Sequence, residues 1–177
     1  MNIIGLLDRP TSGEYKLDDE NTEKLKQKEV SRLRRDKIGF VFQNFNLLPR
    51  LSLIQNIELP LLYKKTPAKE RREKVLAVLE KVGLADKAKA RPNRLSGGQV
   101  QRAAIARALV NDPSLVLADE PTGNLDTKTG LEIMKLLKEL NQQGVTVVLV
   151  THNPELSEFA SRTITVRDGK INEGPKK

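Results

Sequence analysis

Two short stretches in fixed order constrain this chain more than anything else in its 177 residues: Leu95-Ser96-Gly97-Gly98-Gln99, then Val116-Leu117-Ala118-Asp119-Glu120-Pro121. The first is a loop turning into a helix. Ser96 is a good N-cap, and Gln99 three positions on completes a reciprocal capping box. Gly97 and Gly98 leave the first helical amides bare of side chains, so an anion can approach the backbone donors at the positive end of the helix. The helix is expected to run through Val100, Ala103, Ala104, Ile105, Ala108 and Leu109 to about Asn111. The second stretch is an apolar run ending in two carboxylates, the form of a buried parallel strand with ligands at its carboxyl end. Taken singly, one is an ordinary helix start and the other a solvated acidic turn. Together they point to Mg-nucleotide chemistry.

The rest of the chain alternates. Residues 1–7 read as the tail of a helix, closed by the Pro10-Thr11-Ser12-Gly13 turn. Residues 18–36 are dense in charge and are expected to form a loop and a short helix ending near Arg35. Ile38 to Phe42 reads as a strand that ends at Gln43, followed by a loop to Leu51. Ser52 to Tyr63 is helical, and Thr66 with Pro67 opens a second helix that Gly83 stops. These helices form an insertion over residues 52–94 with a small core of its own. A further helix spans residues 126–141, with Leu131, Met134, Leu137 and Leu140 as its packing stripe. Residues 145–150 are nearly all β-branched and read as the most buried strand, ending at Thr151-His152. Asn153 and Pro154 open a short helix, and Asp168-Gly169 is a type I′ hairpin turn. Strands alternating with helices argue for an α/β fold with a largely parallel sheet.

Charge and composition set limits on partners. The net charge is +8, and residues 63–95 carry eleven Lys or Arg against four acids, most of that excess. Such a run is a solvated helical face, a face for anionic lipid or an acidic partner, or a nucleic-acid surface. Aromatics are only 3% of the chain, too few for base-stacking platforms. There is no Cys, hence no disulfide framework and no thiolate metal site. No apolar run approaches the length of a membrane span, and the start has no basic leader.

At the strand ends, Asp119 is a candidate Mg²⁺ ligand, largely through water. Glu120 is a candidate to polarise an attacking water. Gln43 suits contact with both metal and water, or is an ordinary loop amide. His152, the only His, is a γ-phosphate contact or a structural residue. Asp126 is a nucleotide-site residue or the N-cap of the next helix.

Gln43, residues 95–99, Asp119 with Glu120, residues 124–126 and His152 occur in one order. In that order they resemble the Q-loop, signature, Walker B segment, D-loop and switch histidine of ABC-type ATPases. Finer texture, in residues 1–5, 10–14 and 118–126, resembles the macrolide-export and lipoprotein-release branch. The resemblance implies a P-loop NTPase-like α/β fold with a helical subdomain, a partial ABC ATPase domain over residues 1–177, and ATP with Mg²⁺ as cofactors. It implies Glu120, His152 and Gln43 as catalytic, Asp119 and Gln43 at the metal, and Ser96, Gly97, Gly98, Gln99 and Asp126 at the nucleotide. In such proteins the signature closes over nucleotide held by a second ATPase subunit, so those residues would act across a dimer. The other implied partner is a transmembrane permease that the subunit powers for export or release. That implies a cytoplasmic location at the inner face of the membrane; no nucleic acid is expected. A catalytically silent module that docks on a permease or intact ATPase and regulates it is the alternative. A soluble ABC ATPase of translation or repair fits less well, since tandem domains and coiled-coil insertions are lacking.

The sequence contains no G-x-x-x-x-G-K-[ST], the loop that cradles the β- and γ-phosphates. Two expectations follow. Residues 1–177 alone should bind Mg-ATP weakly or not at all, and the strands at Ser114 and Val145 should lack a neighbour and expose their edges.

Overall fold

The computed structural model describes residues 1–173. Its centre is a parallel sheet of β3 (Ile38–Phe42), β4 (Leu115–Asp119) and β5 (Thr146–Val150), in that spatial order. The register aligns Phe42, Asp119 and Val150 across the sheet, so all three strands deliver their next residues to one carboxyl edge. Alternation along β4 assigns its two faces. Val116 and Ala118 pack under α4 (Gly97–Leu109) and α5 (Thr127–Gln142), while Leu115 and Leu117 pack against residues 1–7 and α1 (Gln27–Lys37).

The helix tail expected at residues 1–7 is present as its ending. The Leu7 amide donates to the Asn2 carbonyl at 2.9 Å and the Leu6 amide to Ile3 at 3.1 Å, with Leu6 at φ +54°. That is the Schellman pattern of a helix stop. Gly5 lies against Phe40 and Leu117, where a Cβ would come within 2.8 Å of the Phe40 ring. The charged stretch after it is more ordered than its composition implies. It holds a short hairpin, β1 (Lys16–Leu17) with β2 (Glu20–Asn21), and α1 runs to Lys37, buried through Val30 and Leu33.

Three other expectations are corrected. First, the β4 strand has neighbours on both sides, so of the two strands expected to lack one only β5 does; among the described residues β3 forms the other edge of the sheet. The β-branched strand β5 is half-buried, with Thr146 and Val150 exposed, and is not the most buried one. Second, Leu131 is 43% exposed. Repeats of three fall about 60° short of a full turn each time, so three steps carry Leu131 to the far side from Leu140; Ile133 and Leu136 take its place in the core. Third, α2 (Leu53–Tyr63) and α3 (Ala68–Lys81) have no core of their own. Leu53, Ile57, Leu61, Val75 and Leu79 join Ile105 and Val116 in one continuous cluster. The α3 start also shifts by one residue: Pro67 is its N-cap, while Thr66 is buried and gives its carbonyl to Arg71.

Asn56, fully buried on α2, fixes the loop that leads from β3 into this insertion. Its Oδ1 accepts from the Leu48 amide at 2.7 Å, and its Nδ2 donates to the carbonyls of Leu48, Leu51 and Ser52. Replacing it with Ala strands those groups without partners. Asn56→Ala should therefore lower unfolding free energy by about 3 kcal/mol in a denaturant titration. A loss below about 1 kcal/mol would mean that the loop does not depend on this side chain. After β5, a 3-10 turn (Pro154–Phe159) is capped by Asn153, as expected. The hairpin of β6 (Ile164–Arg167) and β7 (Lys170–Glu173) turns through Asp168 and Gly169 at φ +49° and +73°, the two positive angles of a type I′ turn.

Candidate functional site

The carboxyl edge of the sheet gathers most of the expected residues. Gln43 follows β3, Asp119 ends β4 with Glu120 next to it, and Thr151-His152 follows β5. Asp119 is half-buried, and no group among the described residues bonds its carboxylate. A bare carboxylate at a strand end suits a cation. No group of three or more His, Cys, Asp or Glu converges as a metal cage among the described residues. A cation there would take most of its ligands from phosphate oxygens and water, as Mg²⁺ does.

Glu120 is engaged more closely than its position in sequence suggests. It sits at φ +45°, a left-handed conformation that costs a non-glycine residue on the order of 1–3 kcal/mol and clusters at functional sites. Its amide donates to Val150 O at 2.9 Å, and its carbonyl accepts from the Gly123 amide at 3.0 Å, which fixes the turn. The carboxylate Oε1 accepts from the His152 amide at 2.6 Å and lies 2.7 Å from His152 Nδ1; Oε2 accepts from the Thr151 hydroxyl at 3.1 Å. A carboxylate only accepts, so the proton of this pair sits on Nδ1. The His152 side chain is otherwise 83% exposed, with Nε2 at its outer end. Glu120 and His152 are thus one dyad.

Gln43 lies over the loop that follows Glu120. Its Nε2 comes within 3.4 Å of Asn124 Oδ1, and a Cβ on Gly123 would be 2.6 Å from that nitrogen. In return Asn124 Nδ2 donates to the Gln43 carbonyl and to Asn44 Oδ1, each at 3.1 Å. Asp126 caps α5 through the Thr129 amide at 3.0 Å. Hydrogen bonds from the Thr129 hydroxyl and amide hold its carboxyl below the ordinary range. Of the two roles left open for it, the cap is the one this chain fills by itself.

The helix start at Ser96 forms as expected. The Gln99 amide donates to Ser96 Oγ at 3.3 Å, and the Ser96 amide to Gln99 Oε1 at 3.1 Å. The glycines serve packing as well as access. A Cβ on Gly98 would lie 2.4 Å from the Thr129 methyl, and one on Gly97 3.2 Å from Leu125. Gly98→Ala should push the start of α4 off α5 and cost about 1–3 kcal/mol in thermal or denaturant unfolding. Thr129→Ser removes the clashing methyl and should recover most of that loss; no recovery would count against this contact.

Sequence reasoning missed the supports. Thr151 was read only as a strand end. Gln101 is fully buried and donates through Nε2 to the Pro121 carbonyl at 2.6 Å, bracing the turn after Glu120, while its Oε1 has no partner. The signal was available: an amide standing among Ala103, Ala104 and Ile105 on the core side of a helix needs a polar partner.

The first 123 residues match the family model described as ABC transporter. An uncharacterized ABC transporter ATP-binding protein of Bacillus subtilis, YknY, is 57% identical over 171 residues, covering 97% of this chain and 74% of the relative. The macrolide export ATP-binding/permease protein MacB of Rhodopseudomonas palustris is 48% identical, over the same share of this chain but 26% of its own length. Among solved structures, a dimeric post-hydrolysis state of the ATP-binding cassette MJ0796 bound to ADP and Pi superposes with a TM-score of 0.82 at 49% identity, covering 97% of this chain and 78% of that one. No helix among the described residues is long and apolar enough to cross a membrane. On its motifs, its sheet and these relatives, the chain belongs to the ABC transporter family, as an ATP-binding component akin to export and release ATPases.

Proposed function

We propose that the carboxyl edge of the sheet is the γ-phosphate side of a Mg-ATP site and that hydrolysis there drives a partner permease. The observation that carries this reading is the alignment of Gln43, Asp119, the strained Glu120 and His152 along one strand-end row. Asp119 and Gln43 would hold Mg²⁺, which when bound neutralises phosphate charge. Glu120 orients a water by accepting its proton, and it fixes the His152 ring through Nδ1–H; with both ring nitrogens protonated, Nε2–H would donate to a phosphate oxygen. Ser96, Gly97, Gly98 and Gln99 lie at the N-terminus of α4, against Leu125 and Thr129. In this reading they close over nucleotide bound by a second subunit, as a dimer would require.

For the permease we propose the groove of about 900 Å³ between α1, the outer edge of β3 and α2. Its floor includes Phe40, Phe42 and Pro60, and Lys28, Arg32 and Arg35 stand at its rim. An acidic, partly apolar cytoplasmic segment fits that chemistry, and it would hold the subunit at the inner face of the membrane. MacB-type relatives carry ATP-binding and permease parts in one polypeptide, which supports permanent pairing of the two. The test of the nucleotide reading is turnover of Mg-ATP by a chain in which a G-x-x-x-x-G-K-[ST] loop precedes residue 1, with Glu120→Gln as the diagnostic variant.

A further inference from the structure

Arg107 stands eight residues after Gln99 on α4 and has no part in the chemistry above. Its half-buried guanidinium donates through Nη2 to the Phe45 carbonyl at 3.0 Å and through Nη1 to the Asn46 carbonyl. No carboxylate pairs with it among the described residues, and burial pushes it below its ordinary value. An arginine kept from water usually faces a carboxylate; this one gives its planar fork to two successive backbone oxygens.

Those two oxygens belong to an unusual turn. Phe45 and Asn46 are consecutive non-glycine residues at φ +60° and +51°. Such a pair persists only where its surroundings over-determine it. Two residues upstream is Gln43, whose amide lies on Gly123 and Asn124. The segment is therefore gripped on one side by Asn124 and on the other by Arg107.

We propose that Arg107 is the positioning residue for Gln43: from the signature helix it locks the left-handed turn at Phe45 and Asn46, and so holds the Gln43 amide at the strand-end row. The catalytic meaning of this rests on the reading of Gln43 as a metal and water contact. Asn124 holds the Gln43 carbonyl and Asn44 Oδ1 at 3.1 Å, and its contact with the Gln43 side-chain amide is the longer one at 3.4 Å.

The test uses residues 1–177 without nucleotide. In Arg107→Met, the ¹⁵N resonances of the Gln43 side-chain amide should move toward those of a free glutamine. Exchange of the Phe45 and Asn46 amides should quicken about tenfold or more, with the β4 amides unchanged. Arg107→Lys, which can reach only one carbonyl, should fall between and carries the test if the Met variant does not fold. Arg71, bonded to Glu58 at 2.6 Å in the helical insertion, supplies the control: Arg71→Met should lower the melting temperature without moving the Gln43 resonances. Gln43 resonances unmoved in a folded Arg107 variant would overturn the proposal whatever the nucleotide result. Failure to bind Mg-ATP would leave it standing.

Discussion

Glu120→Gln, in a chain whose nucleotide is held by a P-loop, should lower ATP turnover at least about 100-fold while leaving nucleotide affinity nearly unchanged. The amide has the shape of the carboxylate but cannot take a proton from water. It also disturbs the dyad. The side-chain oxygen can still accept from His152 N and Nδ1, and the new NH₂ faces the Thr151 hydroxyl, which must turn from donor to acceptor. Affinity should be spared because, in the proposed reading, Glu120 would contribute acceptor capacity and not a phosphate ligand. Phosphate release measured at saturating ATP checks this, with a melting curve to show that the turn at φ +45° survives. Turnover within a few-fold of the parent would remove Glu120 from the chemistry and leave the dyad a structural contact.

The fold was legible where local chemistry and tertiary context agree. The capping box at Ser96, the Asn153 cap and the type I′ hairpin are written in a few adjacent residues, and each formed as expected, whereas the helix stop in residues 1–7 comes at Leu6, ahead of the turn at residues 10–13. What depends on neighbours was not legible. The β5 run is apolar enough for a strand covered on both sides, but its burial is set by what packs on its faces: β3 is equally an edge strand and is largely buried, while β5 is only partly covered. The Leu131 spacing satisfied a three-residue repeat that a helix of 3.6 residues per turn cannot keep on one face.

The site divides in the same way. Gln43, Asp119, Glu120 and His152 stand at strand ends in the sequence, the family resemblance gives them their expected roles, and the register brings them to one edge. That Glu120 and His152 bond each other was not foreseen, because they are 32 positions apart in sequence. The supports from Gln101 and Arg107 were hidden for another reason: each is a polar side chain on a helix otherwise read for its apolar stripe. Gly98 was read for access to an anion, but the Thr129 methyl excludes a side chain there as well.

The second large effect concerns nucleotide affinity. In the proposed reading the strand-end row would supply a metal carboxylate, a water-orienting carboxylate and a histidine, but the G-x-x-x-x-G-K-[ST] loop with its amides and lysine for the β- and γ-phosphates is not among these 177 residues. Those groups carry most of the charge neutralisation that ATP requires. The measurement to make is a calorimetric titration of Mg-ATP into residues 1–177, beside the same residues preceded by a strand and a G-x-x-x-x-G-K-[ST] loop. The first should show no saturable heat below about millimolar ATP, and the second should bind at least about 100-fold more tightly, a difference of about 2.7 kcal/mol. In the second, Asp119→Asn should weaken the response to Mg²⁺. Micromolar binding by residues 1–177 alone, or binding by the longer chain that is indifferent to Asp119, would contradict the placement of the γ-phosphate and its metal at this edge.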